Sequence, residues 1–161
     1  MNGRPRLPSL GPRGEGWVVI QLILFAAILA AGLLGARWPH QARIPRLTAA
    51  TLLGAAGAAL TGAGIRALGE SMSPMPRPHG RAVLKQHGVY ARVRHPIYGG
   101  VILIAFAWSL LTSPWALIPS GALALLLAMK ARVEEHWLSQ RYPEYPEYAR
   151  RIRRRFVPYL W

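Results

Sequence analysis

The chain alternates long uncharged stretches with short, densely charged ones. Residues 17–36, 47–65 and 95–129 contain no Asp, Glu, Lys or Arg, and all charged residues lie outside them. Trp17 to Ala36 is a 20-residue apolar run, enough to cross the ~30 Å hydrocarbon core of a bilayer as a helix. Arg4, Arg6 and Arg13 precede it, so a signal peptide is the competing reading. Its apolar stretch exceeds the roughly 7–15 residues of a signal, and a retained span is the expectation. Leu47 to Ile65 forms a second run, with Gly54, Gly57, Ala58, Thr61 and Gly62 as small residues. Small residues three and four apart let two helix backbones approach closely in lipid. An Ala/Gly-rich span with no partner at those positions is the equal alternative.

The third stretch, 95–129, is too long for one helix. Thr112-Ser113-Pro114-Trp115 lies in its middle, and a proline after a polar pair reads as a turn followed by a helix start. The stretch therefore divides into helices over 97–112 and 115–129. Sixteen residues rise only about 24 Å, so these helices extend into their flanks or form a shallow hairpin. Four spans are expected, with three spans plus a re-entrant hairpin as the alternative.

Composition sharpens this reading. The 161 residues are 52% hydrophobic and 16% charged, where a soluble domain has about a quarter of its residues charged. The apolar content excludes disorder, and the segregation of charge excludes an ordinary basic globular domain. The expected fold is all-α: one polytopic membrane domain over 1–161, with about four transmembrane helices and a cytoplasmic cap. A basic arm (1–16) precedes the spans 17–36, 47–65, 97–112 and 115–129, and the segments 66–96 and 130–161 form the cap. The chain has no Cys and no Asp, and its five His lack tight ligand spacing, so no metal is expected.

The net charge of +14 first invites a nucleic-acid reading, but no interleaved aromatic stacking surface accompanies it. Its placement follows topology instead. Lys and Arg number 3 in the N-terminal arm, 3 in the 37–46 loop, 6 in 66–96 and 8 from Lys130 onward. With both termini cytoplasmic, 17 of the 20 lie inside, as the positive-inside rule requires. The expected location is an integral, multi-pass position in a bacterial-type inner membrane, with no nucleic acid as partner.

Two cytoplasmic stretches look unlike simple loops. Pro74, Pro76 and Pro78 enforce an extended path after the second span. Arg94-His95-Pro96-Ile97-Tyr98-Gly99 then runs into the third, with Pro96 suited to the first helical turn. Gly99 and Gly100 allow a ligand or a neighbouring helix to approach the backbone. The second stretch is Lys130-Ala-Arg132-Val-Glu134-Glu135, adjacent acids in a chain that has only six. Lys130 with Glu134 and Arg132 with Glu135 are spaced to pair on one helix, and plain salt bridging at a helix end is one reading. The run Arg150-Arg-Ile-Arg-Arg-Arg155 suits anionic lipid headgroups, at roughly 1 kcal/mol per residue near the surface.

Taken in order, Gly88-Val-Tyr90-x3-Arg94-His95-Pro96-x-Tyr98-x-Gly100, a helical hairpin, Glu134-Glu135-x2-Leu138, Tyr145-x2-Tyr148 and Arg155-Phe-Val-Pro158 resemble the isoprenylcysteine carboxyl methyltransferase family. The related phospholipid N-methyltransferases share its plan. The resemblance covers about residues 66–159 and implies a membrane enzyme using S-adenosylmethionine at the cytoplasmic face, which makes the cytoplasmic cap cofactor-binding. It implies that Tyr90, His95, Pro96, Ile97 and Tyr98 hold the cofactor, that Ala82 to Lys85, including Leu84, line the adenosine side, and that Glu134 takes a cofactor polar group. The family's basic substrate contact falls on Lys130, where Arg is common, with Arg132 as the substitute; the family's Gly before the Tyr-x2-Tyr block is Pro143 here.

The acceptor is expected to be a lipophilic small molecule. A carboxylate nucleophile would want a cation such as Lys130, Arg132 or Arg94. An amine or thiol would want a base, for which Glu135 or His95 serves. Arg94 and Glu135 are thus the catalytic candidates. The alternative is a basic membrane scaffold binding anionic lipid, which gives the Arg-His-Pro corner and the Glu pair no role.

Overall fold

In a computed structural model, residues 8–80 and 82–158 are described. Arg4 and Arg6 of the basic arm, Arg81 in the first cap segment and the last three residues lie outside them. Among the described residues the fold is all-α, with α1 Glu15–Leu34, α2 Arg43–Leu68, α3 Pro96–Thr112, α4 Leu117–Arg141 and α5 Tyr145–Arg151. Three helical segments are long and apolar enough to cross a bilayer: Glu15–Leu34, His40–Ser71 and Pro114–Arg141. The fourth, α3, has 17 residues and rises about 25 Å. The chain is a polytopic membrane protein.

Helix ends depart from the uncharged stretches for local reasons. Helix α1 ends at Gly35, whose N–H donates back to the Ala31 carbonyl. Helix α2 starts earlier than its apolar run and recruits Arg43 and Arg46. Arg46 reaches the carbonyl of Leu110 in the last turn of α3, where the helix dipole favours a cation. Its guanidinium also lies 5.8 Å from the Trp38 ring centroid. Helix α4 continues well beyond residue 129 to Arg141, which lifts the glutamate pair onto a rigid rod. The turn between α3 and α4 falls at Ser113–Ala116, where the Ser113 hydroxyl accepts the Trp115 N–H at 3.3 Å.

Small residues set the helix packing. Ala50, Gly57 and Gly64, one heptad apart, are the buried positions of α2, and they face α3. A side chain at Gly57 would meet the Gly100 carbonyl and Ile104, and one at Gly64 would meet Ile97 and Pro96. One at Gly100 would meet Thr61 and the Gly57 carbonyl. The small-residue seam exists, with a different membership from the one its spacing implied. Gly57 and Thr61 belong to it, Gly54 makes only ordinary contact with Ala107, and a side chain at Gly62 would meet nothing.

Helix α1 lies against α4 and the α3–α4 turn. Trp17, Ile28, Ala105, Leu123, Leu126, Leu127 and Val133 form the core. Between α3 and α4 the buried hydroxyls of Ser109 and Ser120 meet at 2.9 Å. Leu22, Ile23, Leu33, Leu52 and Leu125 stay exposed, as lipid-facing residues should.

Candidate functional site

The site is built where α3 begins and α4 leaves the apolar layer. A left-handed Gly88 (φ 62°) opens the short turn Gly88–Ala91, which buries Tyr90. The chain then turns through Arg92 and bends at Arg94, and the C-terminal segment pairs with it. Arg94 N–H donates to the Arg154 carbonyl at 3.0 Å and His95 N–H to the Arg155 carbonyl at 2.7 Å. The Phe156 carbonyl rests on Gly99 where any Cβ would collide. Gly99 therefore admits a neighbouring segment and Gly100 a neighbouring helix.

The two adjacent glutamates take different partners. Glu135 receives Arg94 Nη1 and His95 Nε2 on one oxygen, each at 3.1 Å, and Arg155 Nη2 on the other at 3.1 Å. It clamps α4, the corner and the C-terminal segment together. Glu134 accepts the Tyr98 hydroxyl at 2.6 Å and lies 3.9 Å from His95 Nδ1. His95 thus bridges the pair, its ring stacked on Tyr98 at 5.3 Å. Among the described residues there is no ion pair between Lys130 and Glu134 or between Arg132 and Glu135. The intrahelical pairing that spacing allowed gives way to partners from other segments.

These residues surround a cavity of about 220 Å³. Leu84, Lys85, Tyr90, Arg94, His95, Ile97, Tyr98, Lys130 and Glu134 line it. Pro96, Arg132 and Glu135 do not. Pro96 is buried in the first turn of α3 near Gly64, Arg132 is exposed, and Glu135 sits behind the corner. Lys130 is 1% exposed. Its ammonium donates to Gln21 Oε1 at 2.8 Å and lies 5.4 Å from the Tyr98 ring centroid.

Several lining residues had no assigned role in the sequence. Gln21, Tyr142, Tyr145 and Tyr148 line the cavity, as does the Ser71–Pro76 loop. Gln21 carried a usable signal, as the lone amide in an otherwise apolar 17–36 run, and polar groups at membrane depth are seldom idle. Tyr142 pins the first cap segment, its hydroxyl donating to the Ala82 carbonyl at 2.6 Å. Tyr148 does the same for the Tyr90 turn, donating to the Tyr90 carbonyl at 2.8 Å.

Burial pushes the Tyr148 phenol up to about 12, against the opposing charges of Arg94 and Arg151. Burial, then the nearby glutamates, pushes the Tyr90 and Tyr145 phenols higher still. All three are hydroxyl donors at neutral pH. Two of the cavity's donors lack acceptors: Arg94 Nε and the Tyr145 hydroxyl are buried with no hydrogen-bond partner among the described residues. Leaving buried donors unpaired costs about 1–3 kcal/mol each, so both can take an acceptor that the described residues do not supply.

A family model described as phospholipid methyltransferase matches residues 45–145. The chain is also similar to the Delta(14)-sterol reductase TM7SF2 of Mus musculus, 33% identical over 94 residues. That match covers 56% of this chain and 22% of the relative, so the chain spans about a fifth of that protein's length. The resemblance read from the ordered motifs is borne out at the level of the family. The chain belongs to the phospholipid methyltransferase family.

Proposed function

We propose that this member of the phospholipid methyltransferase family moves a methyl group from S-adenosylmethionine to a lipophilic or membrane-embedded small acceptor. Members of the family in general use this cofactor. The observation that carries the reading is the pair of unsatisfied donors, Arg94 Nε and the Tyr145 hydroxyl, in one cavity with the carboxylate of Glu134. An amino-acid head offers a carboxylate for the first two and an ammonium for the third. Tyr90, Tyr98, His95, Ile97, Leu84 and Lys85 supply the aromatic and apolar wall that an adenosine needs. The residues present fit the cofactor.

When bound, the cofactor supplies an activated methyl group on a sulfonium, whose transfer is an in-line displacement. The chain's task is then to align the acceptor and keep water out. Glu134, fixed by the Tyr98 hydroxyl, holds polar cofactor atoms. Lys130, held by Gln21, presents a cation to the acceptor's polar head, with a carboxylate, amine or thiol as the nucleophile. Arg94 contributes its free Nε–H. Glu135 acts as a positioning residue, because two guanidiniums and the His95 ring already occupy its carboxylate, and Arg132 has no part in the cavity. A lipid-borne acceptor arrives from the bilayer and the cofactor from the cytoplasm, with both termini on that side.

Incubating membranes that contain the protein with methyl-labelled S-adenosylmethionine, then analysing the lipid extract by mass spectrometry, tests this. A labelled amphiphile that is absent without the protein is expected. The likeness to a sterol reductase favours a second reading, in which the cavity serves reduction of a lipophilic substrate. Under that reading no lipid acquires label.

A further inference from the structure

A second concavity, of about 330 Å³, lies beside the cavity and is lined by Arg92, Arg151, Arg153 and Arg154. Among the described residues no acidic side chain lines it. Its walls are fixed rather than loose. The Arg94 and His95 N–H groups pair with the carbonyls of Arg154 and Arg155, and the Tyr148 hydroxyl holds the Tyr90 carbonyl. These bonds bring Arg92 beside arginines about sixty positions later in the sequence.

Three of these arginines, Arg92, Arg151 and Arg153, are incompletely neutralised among the described residues. Arg151 Nη2 donates to Gln86 Oε1 at 2.9 Å, which occupies one of its donors. Arg92 and Arg153 are exposed and make no ion pair among the described residues. Glu147, four positions before Arg151 on α5 and so spaced to pair with it, makes no ion pair either. Guanidiniums that line one concavity repel one another, and an anion relieves the repulsion. Their planar forks match the oxygens of a phosphate in bidentate fashion. A charge run serving topology alone does not require a concave site assembled from two distant segments.

We propose that the Arg92–Arg151–Arg153 groove is a phosphoryl-binding site, separate from the cofactor cavity, that takes the phosphate of an anionic lipid headgroup or of a free anion. The site stands on its own geometry and does not depend on methyl transfer. On a lipid headgroup it would fix the depth of the cap against the membrane surface.

The test uses the full chain in phosphatidylcholine-like zwitterionic micelles, titrated with phosphatidylglycerol and, separately, with inorganic phosphate. Saturable binding of at least one titrant is expected. Arg92→Gln and Arg153→Gln should each weaken it about tenfold, because each removes a charge-assisted fork. Arg150→Gln, exposed on the same run but outside the groove, should change it by about twofold or less, as expected for diffuse surface charge. Arg92→Lys, which keeps charge but loses the fork, should fall between. Binding of phosphatidylglycerol alone identifies the headgroup as the source. Binding of inorganic phosphate with the same ranking of variants identifies the phosphoryl group itself. No saturable binding of either titrant, or equal losses from Arg150→Gln and Arg92→Gln, overturns the site. Unchanged thermal unfolding of these exposed-arginine variants confirms that they are folded.

Discussion

The α2–α3 seam and the corner at the start of α3 hold the same helix by opposite means. Along the seam, Gly57, Gly64 and Gly100 bring backbones together by lacking side chains. At the corner, Glu135 draws Arg94, His95 and Arg155 together by charge. In lipid, apolar side chains gain little by leaving the surrounding tails, so close backbone approach is what distinguishes one packing from another. At the membrane surface water competes for every polar group, and a partly buried multi-partner carboxylate outweighs single pairs. The seam positions α3, and the corner turns its first residues into a site.

Substitutions along the two regions separate these mechanisms. Gly100→Leu should have the largest effect, about 3 kcal/mol of lost stability, because its side chain meets backbone that cannot swing away. Thermal unfolding in detergent measures it. Glu135→Gln should follow at about 2 kcal/mol, since it leaves two guanidiniums without their counter-charge. That loss should grow smaller in high salt, whereas the glycine effect should not move. Tyr148→Phe removes one neutral hydrogen bond to the Tyr90 carbonyl and should cost about 1 kcal/mol. Gly62→Leu, which meets open space, should stay within about 0.5 kcal/mol. If its loss matched that of Gly100→Leu, contact at the seam would not set the cost, since helix propensity alone favours Leu over Gly.

Much of this was legible in the residues themselves. The absence of charge from 17–36, 47–65 and 95–129 gave the helices, because a bilayer tolerates few ionised groups. The Arg-His-Pro-x-Tyr corner and Glu134 of the acid pair named one part of the cavity wall. What sequence spacing misjudged was partnership. Lys130 and Glu134 share a helix side, yet Lys130 binds Gln21 on α1 and Glu134 binds Tyr98 on α3. Local spacing states which pairs are within reach, and tertiary contacts decide among them. Gln21 was overlooked because a lone amide in an apolar run signals a polar contact without naming its partner, and Lys130 lies 109 positions away in the chain. Glu135 shows the converse, a conspicuous acid whose carboxylate is consumed in holding its neighbours.

Equilibrium binding of labelled S-adenosylmethionine to the purified, folded chain tests the central claim most directly. Saturable binding is predicted, weakened about tenfold by Glu134→Gln, which removes a charged hydrogen-bond partner, and unchanged by Arg153→Ala in the arginine groove. Absence of saturable binding in a folded preparation, or equal weakening by both substitutions, would contradict the account.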